Sequence, residues 1–149
     1  MTPGPLGPCA CSQLRRATRK VSSLYDDMLN AAGLTNSQYS LLVNVGREGE
    51  VSRTALAERL GMDRTTLTRN LKPLEAEKLI VSAKSEDRRE RLLKLSPAGR
   101  QKLRKSYEQW ETAQRLFTSQ LGEKSLRQLR TILQAAEQAA ENAIQGMHS

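Results

Sequence analysis

Apolar residues recur at helical spacing from Cys11 to about Asn30, at Leu14, Ala17, Val21, Leu24 and Met28, which predicts a first helix that Gly33 ends. Thr35-Asn36-Ser37-Gln38 has the form of a capping box and predicts a second helix through Leu41, Leu42 and Val45, closing near Gly49. Ser52 is placed to cap a third helix from Arg53 to Leu60 with Gly61 as its stop, and Asp63 to cap a fourth running toward Lys78. Only a few residues around Gly61 separate the third and fourth helices, which is helix-turn-helix spacing. The pattern then changes period. Leu79-Ile80-Val81-Ser82-Ala83 and Arg91-Leu92-Leu93-Lys94-Leu95 flank a charged stretch from Lys84 to Glu90, so they read as a β-hairpin. A hairpin directly after a helix-turn-helix is a wing.

Ser96-Pro97 starts a fifth helix, with a Ser cap followed by Pro at the first helical position. Its apolar stripe is Leu103, Tyr107, Trp110, Phe117 and Leu121. After Gly122 a sixth helix carries Leu126, Leu129, Leu133, Ala136, Ala140 and Ile144. Helices this long need cover for their apolar faces, from the first helix, from a second subunit, or from both. The expected fold is mainly α: a winged helix-turn-helix over residues 35–95 with a two-stranded β wing, flanked by dimerisation helices over 9–30 and 97–145. These form one domain, preceded by a flexible Pro/Gly-rich arm over residues 1–8.

Composition narrows the partners. Aromatics are 3% of the 149 residues, so the core must rest on Leu, Ile, Val and Ala, which suits packed helices. The formal charge of +8 fits either simple solubility or a polyanion partner, and the placement of the charges decides between them. No apolar run approaches the roughly 20 residues a membrane span needs. The start has neither the basic nor the apolar region of a secretory signal. The two cysteines, Cys9 and Cys11, make no disulfide framework. A cytoplasmic location with reduced thiols is expected.

On the fourth helix Leu67, Leu71 and Leu74 share one face, suited to packing on Leu56 and Leu60. Arg64 and Thr65 sit in the first turn, and Thr65, Arg69 and Lys72 lie opposite the leucines with Thr68 flanking. A helix entering the major groove needs that division: apolar residues hold it to the body while its start and outer face meet bases and phosphates. An ordinary amphipathic surface helix has the same apolar face. The hairpin separates the two, because Lys84, Arg88, Arg89, Arg91 and Lys94 crowd it, and a narrow minor groove attracts arginine. Double-stranded DNA is therefore the expected partner.

Leu60-Gly61-Met62-Asp63-Arg64-Thr65-Thr66-Leu67-Thr68-Arg69, Asp87-Arg88-Arg89 and Leu95-Ser96-Pro97-Ala98-Gly99 resemble the MarR family of bacterial regulators, as do Gly33-Leu34-Thr35 and Gln38-Tyr39. The likeness runs from about Cys11 to Ile144. It implies a homodimer held by the first and last helices, each subunit presenting its winged helix to half of a pseudo-palindromic operator. It places Ser52, Arg53, Arg64, Thr65, Thr66, Thr68, Arg69, Lys72, Lys84, Arg88, Arg89 and Arg91 at the DNA, with Arg89 in the minor groove and Asp87 orienting the wing arginines. Many such regulators are repressors released by small aromatic ligands or by thiol oxidation, and the usual pocket lies between the dimerisation helices and the DNA-binding lobe. Two positions depart from the pattern. Pro73 sits inside the fourth helix and predicts a bend or irregularity near Arg69 to Lys72. Lys78 stands where the family often has Gly, and a Lys at positive φ costs about 1 kcal/mol.

The sensing end is less determined. Cys9 and Cys11 fall at the start of the first helix, where a helix N-terminus, with Arg15 near, favours thiolate. They are either a redox switch or two small residues without chemistry. Cys11 and Tyr25 are similar to residues of the family's peroxide-sensing branch, but Asn36 stands where that branch has a second tyrosine. Arg15, Tyr25 and Tyr39 are candidates for an aromatic-acid pocket. Tyr107 and Trp110 read as core or interface residues, with ligand stacking as the other role. No metal or cofactor is expected, since the only other soft ligand is His148 and a structural zinc wants four. Catalysis is not expected either: the one histidine is terminal, and no phosphate-binding glycine loop is present. The competing class is a winged-helix interaction module that does not bind specific DNA.

Overall fold

The computed structural model describes residues 7–84 and 91–148. Six helices and three strands follow in order: α1 (Ala10–Leu29), a 3-10 turn (Asn30–Ala32), α2 (Asn36–Glu48), β1 (Val51–Ser52), α3 (Arg53–Leu60), α4 (Arg64–Ala76), β2 (Ile80–Lys84), β3 (Arg91–Leu95), α5 (Pro97–Leu121) and α6 (Glu123–Met147). The chain divides into two compact units, Met1–Thr112 and Ala113–Ser149.

The first unit is the winged helix. Its helix starts are set by short polar side chains. Thr35 accepts from the Gln38 amide while Gln38 Oε1 accepts from the Thr35 amide, the reciprocal box expected. Ser52 accepts from the Ala55 amide at 3.1 Å, and Asp63 Oδ1 from the Thr66 amide at 2.7 Å. Asp26 Oδ1 accepts from the Asn36 amide and ties α1 to the start of α2.

Helix ends use the left-handed conformation at Gly33, Gly61 and Lys78, with φ of 69°, 60° and 56°. At α4 the Leu79 amide donates to the Leu74 carbonyl and the Lys78 amide to the Glu75 carbonyl, which makes a Schellman motif closed by two buried leucines. α4 runs on through Pro73 to Ala76, so the irregularity expected near Arg69 to Lys72 does not interrupt the helix. The proline lacks an N–H, so it cannot donate to the Arg69 carbonyl.

The wing strands pair antiparallel in the register Ile80↔Leu95 to Lys84↔Arg91. The sheet has three strands rather than the two expected, in the order β1-β3-β2, because Val51 and Ser52 pair with Leu93 and Leu92. Leu41, Leu42, Val45, Leu56, Leu67, Leu71, Leu74 and Leu93 are almost fully buried and hold α2, α3 and α4 to the sheet. Leu60 is only half-buried.

α1 contributes Tyr25 and Leu29 to this core, not the stripe through Leu24 and Met28, which stay half-buried. Every residue from Ala10 to Lys20 is exposed. In the second unit, no residue of α6 is buried, and Ile132, Leu133, Ile144 and Met147 are exposed. Among the described residues no helix is long and apolar enough to cross a membrane.

Candidate nucleic-acid interface

The outer face of α4 is built by what lies beneath it. Leu67, Leu71 and Leu74 are buried, so Arg64, Thr65, Thr68, Arg69 and Lys72 are all exposed along the other side. Asp63 fixes the start of this helix twice. Its two carboxylate oxygens accept from the Thr66 amide and, at 2.9 Å, from the Thr66 hydroxyl. Those two bonds, in that order, hold the Asp63 carboxyl below the usual carboxylate range, and the Arg69 charge adds to the effect. The Thr66 hydroxyl is thus occupied in capping. The other expected contacts divide in the same way. Ser52 Oγ caps α3. Arg53 forms an ion pair with Glu75 that ties α3 to the end of α4. Arg59 likewise pairs with Glu48 on α2. Neither pair was legible in the sequence, since the partners are separated by a helix or more.

On the wing, Lys84 ends β2 opposite Arg91, and Arg91 and Lys94 are exposed on β3. Asp87, Arg88 and Arg89 lie outside the described residues. The base of the wing is locked to α5. The Ser96 amide donates to the Leu79 carbonyl at 3.0 Å, and Ser96 Oγ donates to the Lys78 carbonyl at 2.7 Å. The same Oγ accepts from the Gly99 amide.

A second feature is a cavity of about 790 Å³ between α2 and α5. Its aromatic wall is a cluster: Tyr39 and Trp110 stack with ring centroids 5.9 Å apart, and Tyr107 tilts against Trp110 at 5.8 Å. Arg47 and Arg104 also line it. Burial, and secondarily Tyr107, push the Tyr39 hydroxyl above its usual value. Of the three residues expected at an aromatic-acid pocket, Tyr39 lines this cavity. Tyr25 is buried elsewhere in the core, and Arg15 is exposed on the free half of α1.

Cys9 is the N-cap residue of α1, and both cysteines are exposed and free. The thiol closes no cap hydrogen bond of its own. The nearby Ser12 amide, then the Ser12 hydroxyl and the Cys11 amide, still hold the Cys9 sulfur below the ordinary thiol value. Among the described residues no cluster of His, Cys, Asp and Glu is suited to a metal ion.

Residues 32–90 match the profile of the MarR family. The DNA complex of the transcriptional regulator MosR from M. tuberculosis is 34% identical, with a TM-score of 0.77 over 89% of this chain and 98% of that one. BpsR of Bordetella bronchiseptica, whose DNA binding is regulated by 6-hydroxynicotinic acid, is 20% identical, with a TM-score of 0.79 over 91% and 98%. A cysteine-to-serine mutant of E. coli MarR with operator DNA is 19% identical, with a TM-score of 0.77 over 84% and 91%. The latter two show the fold alone. Curated protein sequences contain no match. Regulators of this kind are not enzymes. With a relative more than 30% identical across nearly its whole length, the chain belongs to the MarR family of DNA-binding transcription regulators.

Proposed function

We propose that the chain is a cytoplasmic homodimeric repressor that reads a pseudo-palindromic operator with α4 in the major groove and the wing in the minor groove. The observation that carries this reading is the two-sidedness of α4. Three leucines are buried on one face, while Arg64, Arg69 and Lys72 stand exposed on the other and form no salt bridge among the described residues. The homodimer is supported by the exposed first half of α1 and by an α6 that carries apolar residues and buries none of them. A dimer sets two recognition helices about 34 Å apart, one per major-groove face.

Two release routes have support in the chain itself. The Tyr39–Tyr107–Trp110 wall with Arg47 and Arg104 suits a flat aromatic acid, the chemical class of the BpsR effector. The exposed Cys9, with its thiol shifted toward thiolate, suits oxidation by a peroxide. Either acts by linkage, favouring a dimer whose recognition helices no longer match the operator.

The test is an anisotropy titration against the chain's own upstream DNA, with and without salicylate and with and without peroxide. Specific binding that falls on the order of a thousandfold between 50 and 200 mM salt is expected. Arg69→Ala and Lys72→Ala should each weaken it, and a lost phosphate contact lowers the salt slope by about one. Salt-insensitive or absent binding to all upstream DNA would favour the interaction-module reading. Loss of binding with salicylate alone assigns release to the cavity, and loss with peroxide alone assigns it to the thiols.

A further inference from the structure

The groove between α2 and α5 has two unlike ends. Two contacts fix how the helices run past one another. The rings of Tyr39 and Trp110 stack with centroids 5.9 Å apart. Two turns further along α2, a Cβ placed on Gly46 would lie 3.4 Å from the Leu103 side chain. The step from Tyr39 forward to Gly46 equals the step from Trp110 back to Leu103, so the helices run antiparallel and in step along the groove. Arg47 follows Gly46 and Arg104 follows Leu103, and both arginines line the groove. They therefore share one end, the Tyr39–Trp110 stack holds the other, and Val43 and Tyr107 lie between. Neither arginine forms a salt bridge among the described residues. All of these residues belong to the Met1–Thr112 unit, so the placement holds within a single chain.

Helix geometry gives the spacing of the two ends. At 1.5 Å per residue, Tyr39 and Arg47 are about 12 Å apart along α2, and Trp110 and Arg104 about 9 Å apart along α5. Side chains on one helix lean the same way, toward its N-terminus, so these separations carry over from backbone to side chain. A charge-assisted hydrogen bond covers about 3 Å of the span. An occupant that meets both ends therefore has about 6–9 Å between its ring centre and its anion. A carboxylate attached directly to a benzene ring lies only about 3 Å from the ring centre, and a linker of roughly three to five bonds makes up the difference. We propose that the groove is a two-part site for an extended aryl acid, whose ring lodges at Tyr39, Tyr107 and Trp110 and whose carboxylate reaches Arg47 and Arg104. This rests on the aromatic-acid reading of the cavity and narrows it, because a single-ring acid such as salicylate fills one end and leaves the other vacant. The charged end adjoins the wing. The same Cβ on Gly46 would lie 2.9 Å from the Leu95 side chain, so the carboxylate binds where α2 meets the last residue of β3.

Three isomeric acids separate length from hydrophobicity. γ-Phenylbutyrate, α-phenylbutyrate and para-propylbenzoate share one formula and one charge, and they differ in the distance from ring to carboxylate. Calorimetric titration of the full-length protein gives the affinities, and emission from Trp110, the only tryptophan, shows whether the aromatic end is filled. γ-Phenylbutyrate should bind about tenfold tighter than either isomer and about tenfold tighter than its own neutral amide, the factor that one charge-assisted hydrogen bond supplies. Arg47→Gln and Arg104→Gln should each erase the preference for acid over amide while the amide's affinity and the circular dichroism stay unchanged.

Equal affinity for the three isomers overturns the two-part site and leaves the cavity to short aromatic acids. Arginine variants that keep the full preference for acid over amide also overturn it, since the anion is then held elsewhere. Octanoate binding as tightly as γ-phenylbutyrate overturns the aryl assignment, because the ring then adds nothing. If no aryl acid of any length binds, salicylate included, the aromatic-acid reading falls together with this one.

Discussion

Replacing Gly99 with alanine tests how the wing is fastened. A Cβ at this position would lie 2.0 Å from the Leu79 carbonyl oxygen and 2.9 Å from its carbon, whereas ordinary contact begins near 3.4 Å. Both obstacles are backbone, so no side chain can swing aside. The first turn of α5 must move away from Leu79 by more than an ångström. In doing so it pulls on the Ser96 amide's bond to the Leu79 carbonyl and on the Ser96 hydroxyl's bond to the Lys78 carbonyl. Overpacking costs about 1–3 kcal/mol, and each hydrogen bond weakened adds up to about 1 kcal/mol. The expected destabilisation is therefore about 2–4 kcal/mol, which for a chain of this size lowers Tm by roughly 5–15 °C. Thermal and urea unfolding of Gly99→Ala beside Gly146→Ala provide the assay. Gly146 is helical, and nothing lies within 4 Å of where its Cβ would stand, so its replacement should be neutral or stabilising by up to about 1 kcal/mol. A Gly99→Ala protein melting within a degree or two of wild type would refute the reasoning, because it would mean that α5 and Leu79 are not held at the distance the structure gives.

Lys78→Gly should stabilise the protein by about 0.5–1 kcal/mol, read as a higher urea midpoint with unchanged m, since Lys78 holds φ 56° in a Schellman turn that glycine adopts without strain. The Asp63 carboxyl has its folded pKa depressed, so its contribution is present above the unfolded value near 3.9 and is lost as pH falls through the lower folded value. Asp63→Asn should flatten the stability profile in that acid window, and an unchanged profile would show that the Thr66 bonds do not form in solution. Alkylation of Cys9, followed by peptide mass spectrometry, should titrate with a midpoint below that of an ordinary thiol. Ser12→Ala should return the midpoint toward it.

Local signals made most of the fold legible. Thr35 with Gln38, Ser52, Asp63 and Ser96-Pro97 mark helix starts because a capping bond involves residues three apart, and such spacing is visible in a sequence. The cost of a non-glycine residue at Lys78 was legible for the same reason. What stayed hidden depends on distant partners. Val51-Ser52 is too short to show a period of two, and it is a strand only because Leu92 and Leu93 lie beside it. On α1 the residues that reach the core, Tyr25 and Leu29, are one position beyond Leu24 and Met28, so a single apolar stripe was read where the helix carries two faces. Tyr39 stood out as a pocket candidate. Its stacking on Trp110 joins residues on α2 and α5 far apart in the chain, and no spacing rule reports that. The exposure of Arg64, Thr65, Thr68, Arg69 and Lys72 followed from the buried leucines, whereas the diversion of Arg53 to Glu75 did not.

The same few atoms around Leu79 and Ser96 explain how a groove on α5 can matter to DNA. α4 closes in the Lys78–Leu79 turn, β2 starts at Ile80, β3 ends at Leu95 and α5 begins at Pro97, so α4, both wing strands and α5 meet at one junction. The Lys78 and Leu79 carbonyls receive the Ser96 hydroxyl and amide there, and Gly99 sits too close to Leu79 to admit even a methyl group. Leu103, Tyr107 and Trp110 line the groove on the same continuous helix. A helix is stiff over the roughly 16 Å between Gly99 and Trp110. Under the proposed function, an aromatic acid settling between α2 and α5 would part the two helices, and a stiff helix pinned at its base would pass that displacement to the wing and to the end of α4. Proximity alone would not carry this argument. It is the absence of slack at Gly99 that turns α5 from a neighbour of α4 and the wing into part of their frame.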